Sequence, residues 1–271
     1  MSRIHDKFLE LRAKNQKALI AYAMAGYPSD KETVEIVQSL VKGGADIIEI
    51  GLPFSDPLAD GPVIQNASFL ALQKGMNLER FLKIVKAIRR KTDVPLVLMT
   101  YANLLYSRGY HRFISTVKQA GIDGIIIPDM AIEEADRYLD AARKNSIDAI
   151  FLISPNTSQE RIRRIASASS GFVYLVSTFG TTGGTQKQFQ QYTLDAIKNA
   201  KKTIGARIPL GVGFGVNNPE QARSLLKTGA DGIIVASAFL RLVAKTPRPK
   251  MHSKVAAFAK SLKRATISEK E

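Results

Sequence analysis

The string Gly44-Ala45-Asp46-Ile47-Ile48 returns as Gly121-Ile122-Asp123-Gly124-Ile125, and again as Gly229-Ala230-Asp231-Gly232-Ile233. Each copy reads as a helix stop, a tight turn and the start of a buried strand, because glycine ends helices readily and β-branched runs suit strands. The same joint used three times predicts one closed, repeated architecture rather than two unlike domains. Outward from these joints, short apolar runs recur at residues 18–22, 47–50, 96–100, 124–128, 148–153, 172–177, 209–213 and 232–236. Their hydrophobicity is continuous rather than alternating, as expected of parallel strands buried on both faces. Eight strand–helix units predict an α/β fold, a (β/α)8 TIM barrel, in one domain over residues 1–271. An open doubly wound sheet is the alternative.

Helix signals fill the gaps. Ser29 with Glu32, and Thr157 with Glu160, have capping-box spacing. Asn77 is a cap before residues 78–90, and Asn218-Pro219 places a cap ahead of a first-turn proline. Gly43, Gly121 and Gly229 stand where helices should end. An extra N-terminal helix near residues 2–14 and a long final helix near 250–263 would flank the barrel.

Chemistry concentrates in residues 48–61, IEIGLPFSDPLADG. Glu49 interrupts an apolar strand, and a buried glutamate is costly unless it is paired, protonated or used. In a barrel, the C-terminal ends of the strands carry the active site. Desolvation there would raise the Glu49 pKa and let it give and reclaim a proton near neutral pH. The competing reading is a structural ion pair with a lysine or arginine. Asp56 and Asp60 both lie in turn-forming strings, where aspartate is common for backbone reasons. The loop that carries Asp60 must cross the barrel mouth near Glu49, so two carboxylates could divide acid and base roles.

Late glycines suggest the second half of a site. Gly211-Val212-Gly213-Phe214-Gly215 ends the seventh expected strand, and Ala236-Ser237 ends the eighth and opens a short helix. Loops at these positions, with a helix N-terminus, often hold phosphate in such barrels. The string 181–185, TTGGT, could close over a ligand.

The bulk numbers exclude several classes. With no cysteine there are no disulfides, thiolate chemistry or cysteine metal sites, and a cytoplasmic location is expected. The three histidines are scattered, so no metal site is expected. No Walker A string or nucleophile elbow occurs, and the late glycines lack dinucleotide-fingerprint spacing, so no cofactor is implied. The start shows no secretory pattern and no apolar run is long enough to span a bilayer, so no membrane partner is expected. The net charge of +15 is spread along the chain and lacks a nucleic-acid reading motif, so it is read as a solvated basic surface.

Residues 48–62 resemble the signature of the tryptophan synthase alpha subunit family. Further matching segments follow in order: residues 22–28, 65–67, 99–103, 127–129 with Glu133-Glu134, 172–177, Thr182-Gly183, Gly213-Phe214-Gly215 and Ser237-Ala238. The resemblance spans essentially the whole chain. It implies cofactor-free retro-aldol cleavage of indole-3-glycerol phosphate to indole and glyceraldehyde 3-phosphate. By that resemblance Glu49 moves the protons, Asp60 holds the indole N–H, and Tyr174 lies near the glutamate. Tyr22, Leu58, Leu152 and Phe214 would line the indole pocket. Thr182, Gly183, Gly184, Gly215, Ala236 and Ser237 would take the phosphate end. The resemblance also implies a pyridoxal-phosphate-dependent beta subunit as partner, in an alpha-beta-beta-alpha heterotetramer. Pro53, Asp56, Asn103 and Ala131 would face it. Thr178 stands where the family often has arginine, Ala131 where proline is common and Ala236 where glycine is usual. A stand-alone lyase that releases free indole is the alternative function.

Overall fold

The computed structural model describes residues 2–176, 189–213 and 215–267. Among the described residues nine strands form one sheet: β1 Ala18–Met24, β2 Ile47–Gly51, β3 Leu96–Met99, β4 Gly124–Ile126, β5 Asp148–Ile150, β6 Leu152–Ile153, β7 Val173–Val176, β8 Leu210–Gly213 and β9 Gly232–Val235. Every recorded pair is parallel, in the order β5-β4-β3-β2-β1-β9-β8-β7-β6. The two edges, β5 and β6, are separated in sequence only by Phe151. They are the two halves of the expected strand 148–153, so the sheet ends on the segment where it began and the barrel closes.

The break at Phe151 divides one of the eight expected strands in two, and it has a geometric reason. Strands of a barrel tilt and stagger, so one strand bonds different neighbours along its length. The lower half pairs with β4 and the upper half with β7. At the crossover the Tyr174 N–H donates to the Phe151 carbonyl at 3.0 Å. The Phe151 ring points outward, edge-on to Tyr138 at 5.9 Å.

Side chains separate into an outer layer, packed between strands and helices, and an inner column. The lower column holds Ile20, Ile47, Val97, Ile126, Ile150 and Ile234, sealed from below by Ile4, Phe8 and Leu11 of the helix Arg3–Ala13. That helix is the expected N-terminal addition. It plugs the lower end of the barrel. The expected final helix is Arg248–Ala265, which buries Met251, Val255, Ala259 and Leu262.

The repeated joint does more than turn the chain. Gly44, Gly121 and Gly229 adopt φ of +94°, +112° and +101°, a left-handed geometry that favours glycine. In the first copy Gly43 caps the helix Asp30–Lys42, and the left-handed residue is the next one. The aspartate that follows each turn then accepts the N–H of a residue in an adjacent strand. Asp46 takes Leu19, Asp123 takes Leu96 and Asp231 takes Leu210, at 2.8 to 2.9 Å. A cation meets each one: Lys263 on Asp46 at 2.8 Å, Arg89 on Asp123 at 2.6 Å and Lys201 on Asp231 at 2.5 Å.

Three of the four expected caps are used, with Ser29, Asn77 and Asn218 each accepting a backbone N–H of the first turn. The fourth is corrected. Ser158, not Thr157, caps the helix Gln159–Ala168 by accepting from the Arg161 N–H. The Thr157 hydroxyl instead accepts from the Ser154 N–H at 2.9 Å and closes the preceding turn.

Candidate active site

Glu49 sits opposite Tyr22 of β1 in the parallel register, with Val97 of β3 on its other side. It points into the barrel on the same face as Ile47, because alternate residues share a face. It is 1% exposed, and its Oε2 atom has no hydrogen-bond partner among the described residues. No lysine or arginine among the described residues pairs with it, so the structural ion pair is ruled out there. Burial, and secondarily the nearby Asp60 carboxylate, push its pKa up to about 8. At pH 7 this carboxyl is mostly protonated, unlike an ordinary glutamate.

The loop after β2 turns back across the barrel mouth and separates the two aspartates. Asp60 is buried beneath it, whereas Asp56 is exposed and held in its turn by the Ser55 hydroxyl, which donates to it at 2.5 Å. Burial lifts the Asp60 carboxyl to about 6, with the Tyr101 phenol pulling in the opposite direction. Its Oδ1 atom has no partner among the described residues, while Gln65 donates to its backbone carbonyl at 2.8 Å. Two carboxyls in one cavity are thus displaced by different amounts, one mainly an acid at neutral pH and the other mainly an anion.

Tyr22 and Tyr174 complete the inner wall, and glycines make room for both. A Cβ on Gly51 would lie 2.0 Å from the Tyr22 hydroxyl oxygen, and one on Gly213 would lie 2.5 Å from that of Tyr174. Burial and the two carboxylates push both phenols well above their ordinary range, so both remain neutral donors. The resulting cavity is about 550 Å³, the size of a small-ligand site. Leu152 and Ala236 line it, Leu58 forms a largely exposed lip, and Ala131 lies on the rim.

The phosphate half is described in part. Ser237 is buried at the N-terminus of the helix Ser237–Lys245, and Gly215 follows β8 with φ of +52°. Neither lines the cavity as described. Thr178, Thr182, Gly183, Gly184 and Phe214 lie outside the described residues. On the outer surface Asn103 and Asp56 are exposed, but Pro53 is buried. The Phe54 N–H and carbonyl both bond the Ser68 hydroxyl, at 3.0 and 3.1 Å, and this draws residues 53–54 onto the helix Pro62–Gln73. Among the described residues no cluster of histidine, aspartate and glutamate is arranged to hold a metal, and no helix is long and apolar enough to cross a membrane.

Tyr101 escaped the sequence reading as a site residue. It is buried just after β3 beside Asp60, and its sequence signals are an aromatic at a strand end and a place in the matching segment 99–103, neither of which assigns it a role.

A family model described as tryptophan synthase alpha chain matches residues 8–267. The chain belongs to the tryptophan synthase alpha chain family. It is 45% identical to the tryptophan synthase alpha chain of Methanosarcina mazei over 241 residues, 89% of this chain and 86% of that one. Among solved structures it resembles a Mycobacterium tuberculosis tryptophan synthase chain, with a TM-score of 0.89, 35% identity and 99% of each chain covered. It also resembles a chain of the tryptophan synthase a2b2 complex of Pyrococcus furiosus, with a TM-score of 0.84, 37% identity and 91% and 98% of the two chains covered. The family's alpha subunit is a lyase that cleaves indole-3-glycerol phosphate in tryptophan biosynthesis.

Proposed function

We propose that Glu49 and Asp60 carry out this cleavage as an acid/base and anion pair. The Glu49 carboxylic acid gives its proton to indole C3, which makes the ring an indolenine cation. The ionised Asp60 carboxylate accepts the ring N–H and stabilises that positive charge. The Glu49 carboxylate next removes the proton from the hydroxyl on the carbon attached to C3. The C–C bond breaks, its electron pair neutralises the ring nitrogen and restores indole, and the hydroxyl carbon becomes the aldehyde of glyceraldehyde 3-phosphate. Glu49 ends protonated, ready for another turnover. The observation that carries this reading is the presence of both carboxyls in one cavity, each with an unpartnered oxygen, displaced to about 8 and about 6.

Tyr22 and Leu152 hold the ring, and Tyr174 stands against Glu49. The backbone of Gly215 and Ala236, the Ser237 hydroxyl and the helix end behind it take the phosphate, together with Thr182, Gly183 and Gly184. The exposed Asp56, Asn103 and Ala131 face a beta subunit in an alpha-beta-beta-alpha assembly, with Pro53 beneath them. Likeness to chains of tryptophan synthase complexes supports that partnership.

Indole release from indole-3-glycerol phosphate, measured with and without a beta subunit, tests the proposal. Slow release that the partner accelerates is expected, since loops that complete a site commonly limit turnover. Fast release unaffected by the partner would favour a stand-alone lyase. No release from folded protein in either condition would remove the proposal.

A further inference from the structure

Asp60 is carried by a loop, not by a strand, yet its carboxylate must be held in place to meet a ring N–H. The loop's own backbone does not supply this, because residues 52–61 form no helix or strand. Ser68 holds the loop at Phe54 and Gln65 holds the Asp60 carbonyl, but the side chain that reaches both its near end and the Asp60 carboxylate is Tyr101. The Tyr101 ring stacks on Phe54 with centroids 5.1 Å apart and planes at 24°. Its hydroxyl oxygen accepts the Ala59 N–H at 3.4 Å, and the same hydroxyl lies beside the Asp60 carboxylate. Tyr101 itself is 3% exposed and anchored at both ends. It follows β3, whose last residue sits opposite Ile126 of β4, and the next residue, Ala102, donates its N–H to Asp129 at 2.9 Å.

We infer that Tyr101 is a positioning residue for the cleavage: it clamps the loop 52–61 to the barrel wall and aims the Asp60 carboxylate. This rests on the acid/base reading of Glu49 and Asp60 given above. The ring fixes the near end of the loop through Phe54, and the hydroxyl fixes the far end at Ala59 and Asp60. The hydroxyl favours ionised Asp60, because a donor beside a carboxylate stabilises the anion. The other groups facing Asp60 are Glu49 from β2, Tyr22 from β1 and Tyr174 from β7, and Asp129 faces Tyr101 from the loop after β4. Among the described residues no cation contributes to the displacement of Asp60. The Tyr101 hydroxyl is, among these residues, the group that opposes burial at Asp60 and favours its ionised form. The loop it clamps also carries Asp56, on the face assigned to the partner, so partner contact and Asp60 geometry share one clamp.

Tyr101→Phe keeps the stack and removes only the hydroxyl. The pH profile of kcat/KM for indole release from indole-3-glycerol phosphate is compared with that of the wild type, so that the substrate's own ionisation cancels. The acid limb is expected to move to higher pH, with a loss of roughly three- to tenfold at pH 6 that shrinks below about twofold at pH 8. Phe54→Leu, which removes the stack alone, is expected to lower the rate evenly across pH. A Tyr101→Phe profile parallel to the wild type would overturn the inference. If the wild-type protein releases no indole, the cleavage reading fails by itself. The Asp60 titration, followed by carboxyl 13C NMR in wild type and Tyr101→Phe, then decides the clamp: an upward shift supports it and an unchanged curve overturns it.

Discussion

The two ends of the barrel treat carboxylates in opposite ways. At the lower end Asp46, Asp123 and Asp231 each accept a strand N–H and each meet a lysine or arginine. At the upper end Glu49 and Asp60, buried like Asp123 and more deeply than Asp46 or Asp231, meet no cation among the described residues and keep one oxygen each without a partner. A buried charge must be paired or it becomes protonated. The three aspartates of the repeated joint are paired and act as ties between adjacent strands, whereas Asp148, at the start of β5, is buried with one oxygen unpartnered among the described residues. The upper ones are left unpaired, so their protons become available for transfer. The separation is not absolute: burial also pushes Asp46 upward, opposed by Lys263 and the Leu19 N–H. Asp123 and Asp60 make the point at matched depth: both are buried aspartates, and the cation beside Asp123 sets them apart.

The contrast can be broken most severely at Glu49. Glu49→Gln keeps the shape but cannot cycle a proton, and indole release is expected to fall by about 10³-fold or more, with the circular dichroism spectrum and melting unfolding transition retained. Near-wild-type turnover would remove Glu49 from the chemistry. Asp60→Asn is expected to cost roughly 10²-fold, the lower part of the range for one positioned charge-transfer group. It should also shift Glu49 downward, because the Asp60 charge contributes to raising it. A negligible change in rate would assign Asp60 to the loop alone.

At the other end the expected effects reverse. Asp123→Asn leaves Arg89 without its 2.6 Å partner and is expected to cost about 3 kcal/mol of unfolding free energy in urea titrations. Its rate of indole release, measured well below the unfolding midpoint, should stay within about twofold. A large rate loss with unchanged stability would erase the division between the ends.

A smaller effect concerns stability against pH. Glu49 is raised in the folded chain from 4.5 to about 8, so between these values the folded state binds more protons than the unfolded state. Stability from this group is fully present below about 4.5 and is lost as pH rises toward 8. Glu49→Gln should therefore flatten the decline in unfolding free energy between pH 5 and 8. An unchanged slope would mean that Glu49 titrates normally.

Much of this contrast was legible in the sequence, and the illegible part has a common cause. The repeated joint predicted a barrel because helix stops and strand starts are local signals. Glu49 stood out because a lone carboxylate in an apolar strand is a local anomaly. The strand-tying role of Asp46, Asp123 and Asp231 depends on N–H groups 21 to 27 residues earlier, and a turn pattern does not contain that distance. The same holds for Tyr101, whose importance arises only when the loop folds over it, and for Pro53, which Ser68 pulls inward from a later helix. Ser158 displaced Thr157 as a cap because both are capable and adjacent, and the turn at Ser154 claims the threonine.

The most direct test is a carboxyl 13C NMR titration of the ligand-free protein, with Glu49 and Asp60 assigned by loss of their signals in Glu49→Gln and Asp60→Asn. The pair is expected to titrate in two steps near 6 and 8, with the upper step belonging mainly to Glu49. Both steps falling below about 5, in the ordinary carboxylate range, would contradict the account, because neither group would then carry a transferable proton at neutral pH.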